Sequence, residues 1–159
     1  MATDPVLTSL ARSKVFQGLD SARLEAIHRK GKILSLAPSE LVAEEGQPSS
    51  ALFIVVDGEL DVFLPMAPTR FTRVQIATLG AGDCIGEYSL IDEKPASASV
   101  AASRPTELFA IAKIDLQMLL ESDPAIGRVV YRNLLLLLVT RLREGNRQLD
   151  LFCPVLASS

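Results

Sequence analysis

Gly86, Glu87, Ser97 and Ser99 carry the clearest chemical capacity in this chain. They sit together in the run Ile85-Gly86-Glu87-Tyr88-Ser89-Leu90-Ile91-Asp92-Glu93-Lys94-Pro95-Ala96-Ser97-Ala98-Ser99-Val100. The run leaves a turn marked by Gly80, Gly82 and Asp83. Glycine permits backbone paths that a side chain would block and leaves N–H groups uncovered. Such N–H groups at the start of a helical turn attract anions. Glu87, in a single helical turn read over residues 87–90, can accept hydrogen bonds from a sugar hydroxyl, while Ser97 and Ser99 can donate to a phosphate. The same run also fits a glycine turn capping a buried helix, so its meaning depends on the elements around it.

Little else in the chain suggests chemistry. His28 is the single histidine and lies far from this run, with no nucleophile–base pair in view, so the chain is not read as an enzyme. The two cysteines, Cys84 and Cys153, make neither a disulfide framework nor a metal cluster and read as reduced thiols. Cys84 beside the run reads as packing rather than a redox sensor. A formal net charge of −3 supplies no sequence-independent pull toward nucleic acid. No charged-then-apolar leader is visible, and the apolar run over residues 134–139 is too short to span a bilayer. These features predict a cytoplasmic protein without a membrane partner.

At 159 residues, with 48% hydrophobic and 22% charged content, the chain can build one domain with a proper core. Residues 1–31 read as a helical lead-in: Val6, Leu7, Leu10 and Ala11 follow helical spacing, Val15 to Leu19 break it, and Asp20 or Ser21 caps a second helix carrying Leu24 and Ile27. Residues 32–112 read as short strands separated by Pro38-Ser39-Glu40, the turn-rich residues 44–50, and the Asp57-Gly58 dipeptide. The apolar run Leu52 to Val56 and the alternating run Glu59 to Leu64 read as a hairpin, and Val74, Ile76 and Leu79 as the inward side of another strand. Strands at this spacing predict an antiparallel sandwich or jelly roll. Residues 113–152 read as a short helix and then a long one starting at Pro124, about 43 Å at 1.5 Å per residue. Residues 153–159 form a tail.

Taken in order, these signals resemble the cyclic-nucleotide-binding domain family. The spacing Gly-Glu-x-x-Leu-x-x-x-x-Pro-x-Ser-Ala-Ser-Val over residues 86–100 resembles that family's phosphate-binding cassette. Leu36 to Glu40 with Glu45-Gly46, the Leu52 to Val62 segment, and Leu79 to Glu87 resemble its early strands, central hairpin and cassette entry. The resemblance covers about residues 12–150. It implies a mainly β, α+β fold: a jelly roll flanked by N-terminal helices and a long C-terminal helix, with the cassette at residues 85–100. It also implies a nucleotide site at Gly86, Glu87, Tyr88, Ser89, Ala96 and Ser97. In the family the glutamate holds the ribose 2′-hydroxyl, and an arginine after the proline position pairs with the cyclic phosphate. Glu87 matches the first; Ala96 stands in place of the second.

The long helix carries a second pattern. Heptad spacing puts Leu135, Leu142 and Leu149 at one seam position and Tyr131, Leu138, Gly145 and Phe152 at the other, whereas Val130, Leu134 and Leu137 point elsewhere. Two apolar faces need two partners, the β roll and a second copy of the helix. The helix resembles the dimer axis of catabolite-activator-type regulators, which implies a homodimer. Those regulators continue into a DNA-reading domain; this chain reaches Ser159 a few residues after the helix and carries no basic patch, so direct DNA binding is not expected.

A bidentate arginine gives a cyclic phosphate two charge-assisted hydrogen bonds, each worth about 1.5–3 kcal/mol. Its replacement by Ala96 therefore predicts binding weaker by roughly two to four decades. Lys94 is a candidate substitute cation, though a point charge matches a phosphate less well than a fork, and Arg70, Arg73 and Arg104 are others. Three readings follow. The first is a sensor for cyclic AMP, cyclic GMP or a cyclic dinucleotide, acting on an unknown protein partner through an altered phosphate site. The second is a ligand-free dimeric scaffold. In the third the pocket holds an uncharged ligand or the tail Phe152-Cys153-Pro154-Val155-Leu156.

Overall fold

The structure is a computed structural model and describes residues 4–152. Two helices open the chain, α1 (Pro5–Arg12) and α2 (Ser21–Lys30). Each begins at an aspartate whose side chain takes up an orphan backbone donor: Asp4 accepts from Val6 N–H at 2.8 Å and Asp20 from Arg23 N–H at 2.9 Å. Eight strands follow: β1 (Lys32–Leu36), β2 (Leu41–Ala43), β3 (Ala51–Asp57), β4 (Leu60–Leu64), β5 (Val74–Leu79), β6 (Cys84–Ile85), β7 (Ser99–Ala102) and β8 (Thr106–Ala112). The short helix α3 (Glu87–Asp92) lies between β6 and β7, and α4 (Lys113–Ser122) and α5 (Pro124–Phe152) close the chain.

All strand pairs are antiparallel, in two four-stranded sheets ordered β1-β8-β3-β6 and β2-β7-β4-β5. The fold is therefore the mainly β jelly roll with flanking helices that the strand spacing predicted. The strands β3 and β8 of the first sheet are buried on both faces, and strand alternation explains how. Leu52, Ile54, Phe109 and Ile111 point toward the helices, where they join Leu10, Phe16, Ile27, Leu116, Ile126 and Leu134. Their neighbours Val55 and Leu108 point the other way, against Leu60, Val100 and Ala102 of the second sheet.

Two strand expectations are corrected. β3 and β4 do not form a hairpin: β3 pairs with β6 and β8, β4 with β5 and β7, so the Asp57-Gly58 turn carries the chain from one sheet to the other. A register shift between Val55 and Asp57 and the left-handed Gly58 (φ +104°) make that change of direction. A Cβ at Gly58 would stand 2.4 Å from Thr106 Oγ1. Val74 and Ile76 are 43% and 45% exposed rather than inside, because β5 is the edge of its sheet and Ile76 faces an open cavity.

The helix α5 starts at Pro124 as expected, with Asp123 accepting from Ala125 N–H at 3.0 Å. Val130, Leu134 and Leu137 are buried against the core. Buried Asn133 locks the helix to the lead-in by donating to the Val15 and Gln17 carbonyls, each at 2.9 Å. That anchor sets the rotation of α5 and hence which later residues face the roll. Among the described residues, no helix is long and apolar enough to cross a membrane.

Candidate functional site

The Gly80–Asp83 turn leads into the site and is held on both sides. Gly82 N–H donates to the Val55 carbonyl and Val55 N–H to the Asp83 carbonyl, each at 2.9 Å. The Asp83 carboxylate accepts from Gly80 N–H at 3.0 Å and pairs with Lys14 Nζ at 2.7 Å. β6 then crosses to Gly86, whose left-handed backbone (φ +92°) aims the chain into α3. A Cβ there would lie 2.3 Å from the Ala51 carbonyl oxygen, so glycine is required by both conformation and space.

This turn delivers Glu87 to a position only 2% exposed. A carboxylate is not tolerated there unless it is paired and hydrogen-bonded. Its Oε1 forms an ion pair with the guanidinium of Arg141, which arrives from α5. Its Oε2 faces the Cys84 thiol at 3.9 Å. Arg141 also reaches the Cys84 carbonyl (3.4 Å) and lies 5.6 Å above the Tyr88 ring. Burial pushes the Cys84 thiol up to about 11, against the opposing pull of Arg141, so the group is neutral and unreactive at ordinary pH. Burial likewise raises the Tyr88 phenol.

The far side of the cassette is pinned through its backbone. Gly46 N–H donates to the Ala96 carbonyl and Ala96 N–H to the Gln47 carbonyl, each at 2.9 Å. Between the two sides lies a cavity of about 490 Å³. Its roll wall carries Phe53, Val62, Ile76 and Leu79, its cassette wall Gly86 to Ser89 and Pro95 to Ala98, and its third wall one face of α5. That volume falls in the range of small-molecule sites, which are mostly apolar with a few placed polar groups.

All six residues read as the nucleotide site, Gly86, Glu87, Tyr88, Ser89, Ala96 and Ser97, line this cavity. Five other residues considered for the phosphate do not. Ser99 is 2% exposed, its hydroxyl accepting from Glu45 N–H at 3.0 Å, because β7 alternation turns it away from the opening. Lys94 is exposed and outside the lining. Arg70 is engaged with Glu45 (2.7 Å) and the Pro65 carbonyl (2.9 Å), and Arg73 lies over Phe63 (3.7 Å). Arg104 is exposed and likewise absent from the lining.

Arg141 is the residue that sequence reasoning missed. Its signal was present: Leu137, Arg141, Glu144 and Gln148 recur at three- and four-residue steps and share a helix face. The apolar heptads occupy the adjacent face of the same helix. Gly145, placed on the seam by spacing, lines the cavity, and Leu138 is half-buried. The tail segment from Cys153 lies outside the described residues. Among the described residues, no group of three or more His, Cys, Asp or Glu is placed to hold a metal.

Residues 33–123 match the cyclic nucleotide-binding domain family. The Cyclic AMP receptor protein of Thermus thermophilus is 36% identical over 107 residues, covering 67% of this chain and 47% of that protein. A cyclic nucleotide-gated potassium channel of Rhizobium etli is 29% identical over 126 residues, covering 79% of this chain and 33% of the channel. The chain thus spans less than half the length of either relative. The crystal structure of a cyclic nucleotide-binding domain from Methylobacillus flagellatus superposes with a TM-score of 0.80 at 28% identity, covering 97% of this chain and 84% of that one. The chain belongs to the cyclic nucleotide-binding domain family.

Proposed function

We propose that this domain is a non-enzymatic sensor whose cavity takes a ribose-bearing ligand of the cyclic-nucleotide class through an altered phosphate site. The observation that carries this reading is the position of Glu87: a buried carboxylate, left-handed glycine before it, at the wall of a cavity of about 490 Å³. A carboxylate has about four lone-pair sites, so pairing with Arg141 and the Cys84 thiol leaves capacity for a sugar hydroxyl. Gly86, Tyr88 and Ser89 shape that end, and Ser97 and the backbone around Ala96 supply what remains of the phosphate end. In this reading residues 1–31 are the lead-in, 32–112 the roll, 113–152 the helical output and 153–159 a tail.

The ligand experiment is calorimetric titration of cyclic AMP, cyclic GMP and cyclic di-GMP into the wild type and Ala96→Arg. Weak or silent wild type with binding restored by the arginine supports an intact pocket lacking its anion clamp. Micromolar binding by the wild type overturns the weakened phosphate site, and silence in both proteins overturns the nucleotide reading.

The same helix that walls the cavity is proposed to pair with a second copy of the chain. Tyr131, Leu135, Leu142 and Leu149 are 49%, 64%, 66% and 63% exposed along α5, an apolar stripe of the kind that coiled-coil pairing covers. Because Arg141 and Leu142 are adjacent, a shift of the helix at the cavity is also a shift at this stripe, which gives a route from ligand to partner protein. Leu142→Glu is expected to halve the mass measured by light scattering. A wild type already monomeric at micromolar concentration would overturn the pairing.

A further inference from the structure

We infer that this cavity prefers an uncharged nucleoside over the cyclic phosphate of the same base. The inference rests on the reading of the cavity as a ribose-binding site and sharpens its ligand class. It comes from the charges on the walls. Two cations line the cavity, Lys14 and Arg141, against three carboxylates, Asp83, Glu87 and Glu144. Both cations are committed: Lys14 to Asp83 at 2.7 Å and Arg141 to Glu87. Glu144 is left over, so the lining carries an excess negative charge where an anionic ligand would need a positive one.

Arg141 cannot be lent to a phosphate without consequence. Glu87 is 2% exposed, and withdrawing its countercharge strands a buried carboxylate. Lys14 has more freedom, with its side chain 59% exposed, but its release would leave Asp83 of the entry turn unpaired. The helix following Gly86 has only 6 residues and already carries Glu87 in its first turn, so its dipole adds little for an anion. The remaining polar groups suit a neutral partner: the Ser97 hydroxyl and the Gln148 amide both donate and accept, and the Thr140 hydroxyl, which donates to the Leu136 carbonyl at 2.9 Å, can still accept. With the apolar residues of the roll against a base and Glu87 against a diol, a nucleoside uses every wall and asks for no free cation.

The test is isothermal titration of the full chain with adenosine, guanosine, cytidine and uridine beside the 3′,5′-cyclic monophosphates of the same bases. At least one nucleoside is expected to bind about tenfold or more tightly than its cyclic phosphate. In Glu144→Lys, a change on an exposed turn of α5, that gap should narrow by about tenfold. Cyclic phosphates binding as well as or better than nucleosides would overturn this inference and leave the ribose-site reading standing. A nucleoside preference that Glu144→Lys does not narrow would also overturn it, because the wall charges would not be its cause. Silence toward nucleosides and cyclic phosphates alike would remove both readings.

Discussion

The two ends of the cassette are built to different standards. At the Gly86–Glu87 end, every feature is specified by its surroundings: the glycine by a left-handed backbone and a carbonyl 2.3 Å from where a Cβ would stand, the carboxylate by burial, Arg141 and the Cys84 thiol. At the Pro95–Ser97 end the backbone is held as firmly, with Ala96 hydrogen-bonded both ways to the β2–β3 connection, yet the side chain is a methyl group. The frame of a binding loop and the charge it presents are therefore separable. Backbone hydrogen bonds keep the loop in place whatever Ala96 carries, whereas the Glu87 end would collapse without its partners.

That contrast is broken or sharpened by five substitutions. The largest effect belongs to Ala96→Arg, which adds a fork to a loop already in position and should tighten cyclic AMP by roughly two to four decades in calorimetry. Unchanged affinity would mean that the two ends are not separable. Next comes Arg141→Ala, which leaves Glu87 buried without its countercharge and should cost about 3 kcal/mol in urea unfolding. Glu87→Gln should cost less, since Arg141 is 28% exposed and can hydrate.

Gly86→Ala follows at about 2–3 kcal/mol, from a strained φ and a clash with the Ala51 carbonyl. A melting temperature equal to wild type would contradict the account of the specified end. The smallest effect is Lys94→Ala. Exposed and outside the cavity, Lys94 should change ligand affinity less than about twofold, whatever ligand binds. A tenfold loss would return it to the role of substitute cation.

The order of elements was legible in the chain because it depends on local signals. Asp20 and Pro124 mark helix starts, period-two apolar runs mark strands, and Gly86-Glu87 with Pro95 and Ser97 marks the cassette, all within short windows. Gly86, Glu87, Pro95 and Ser97 line one cavity, since a short loop cannot carry its two ends far apart.

Pairing was not legible. Asp57-Gly58 has the chemistry of a hairpin turn, but which strands pair across it depends on where Thr106 and β8 sit, some fifty residues later. Ser97 and Ser99 look equivalent in sequence, and only the sheet decides that one faces the cavity and the other Glu45.

The sequence by itself determined the family's architecture, the position of Glu87 in a glycine-led turn and the methyl side chain at Ala96. Tertiary structure alone decided which cation meets Glu87. Arg141 lies 54 positions away, and it arrives because Asn133 locks the rotation of α5 on the Val15 and Gln17 carbonyls. Local composition sets what a residue can do, and spacing over residues 137–148 puts Arg141 on one helix face; the rotation of a rigid helix against a sheet sets which charges that face meets, and that is a property of packing.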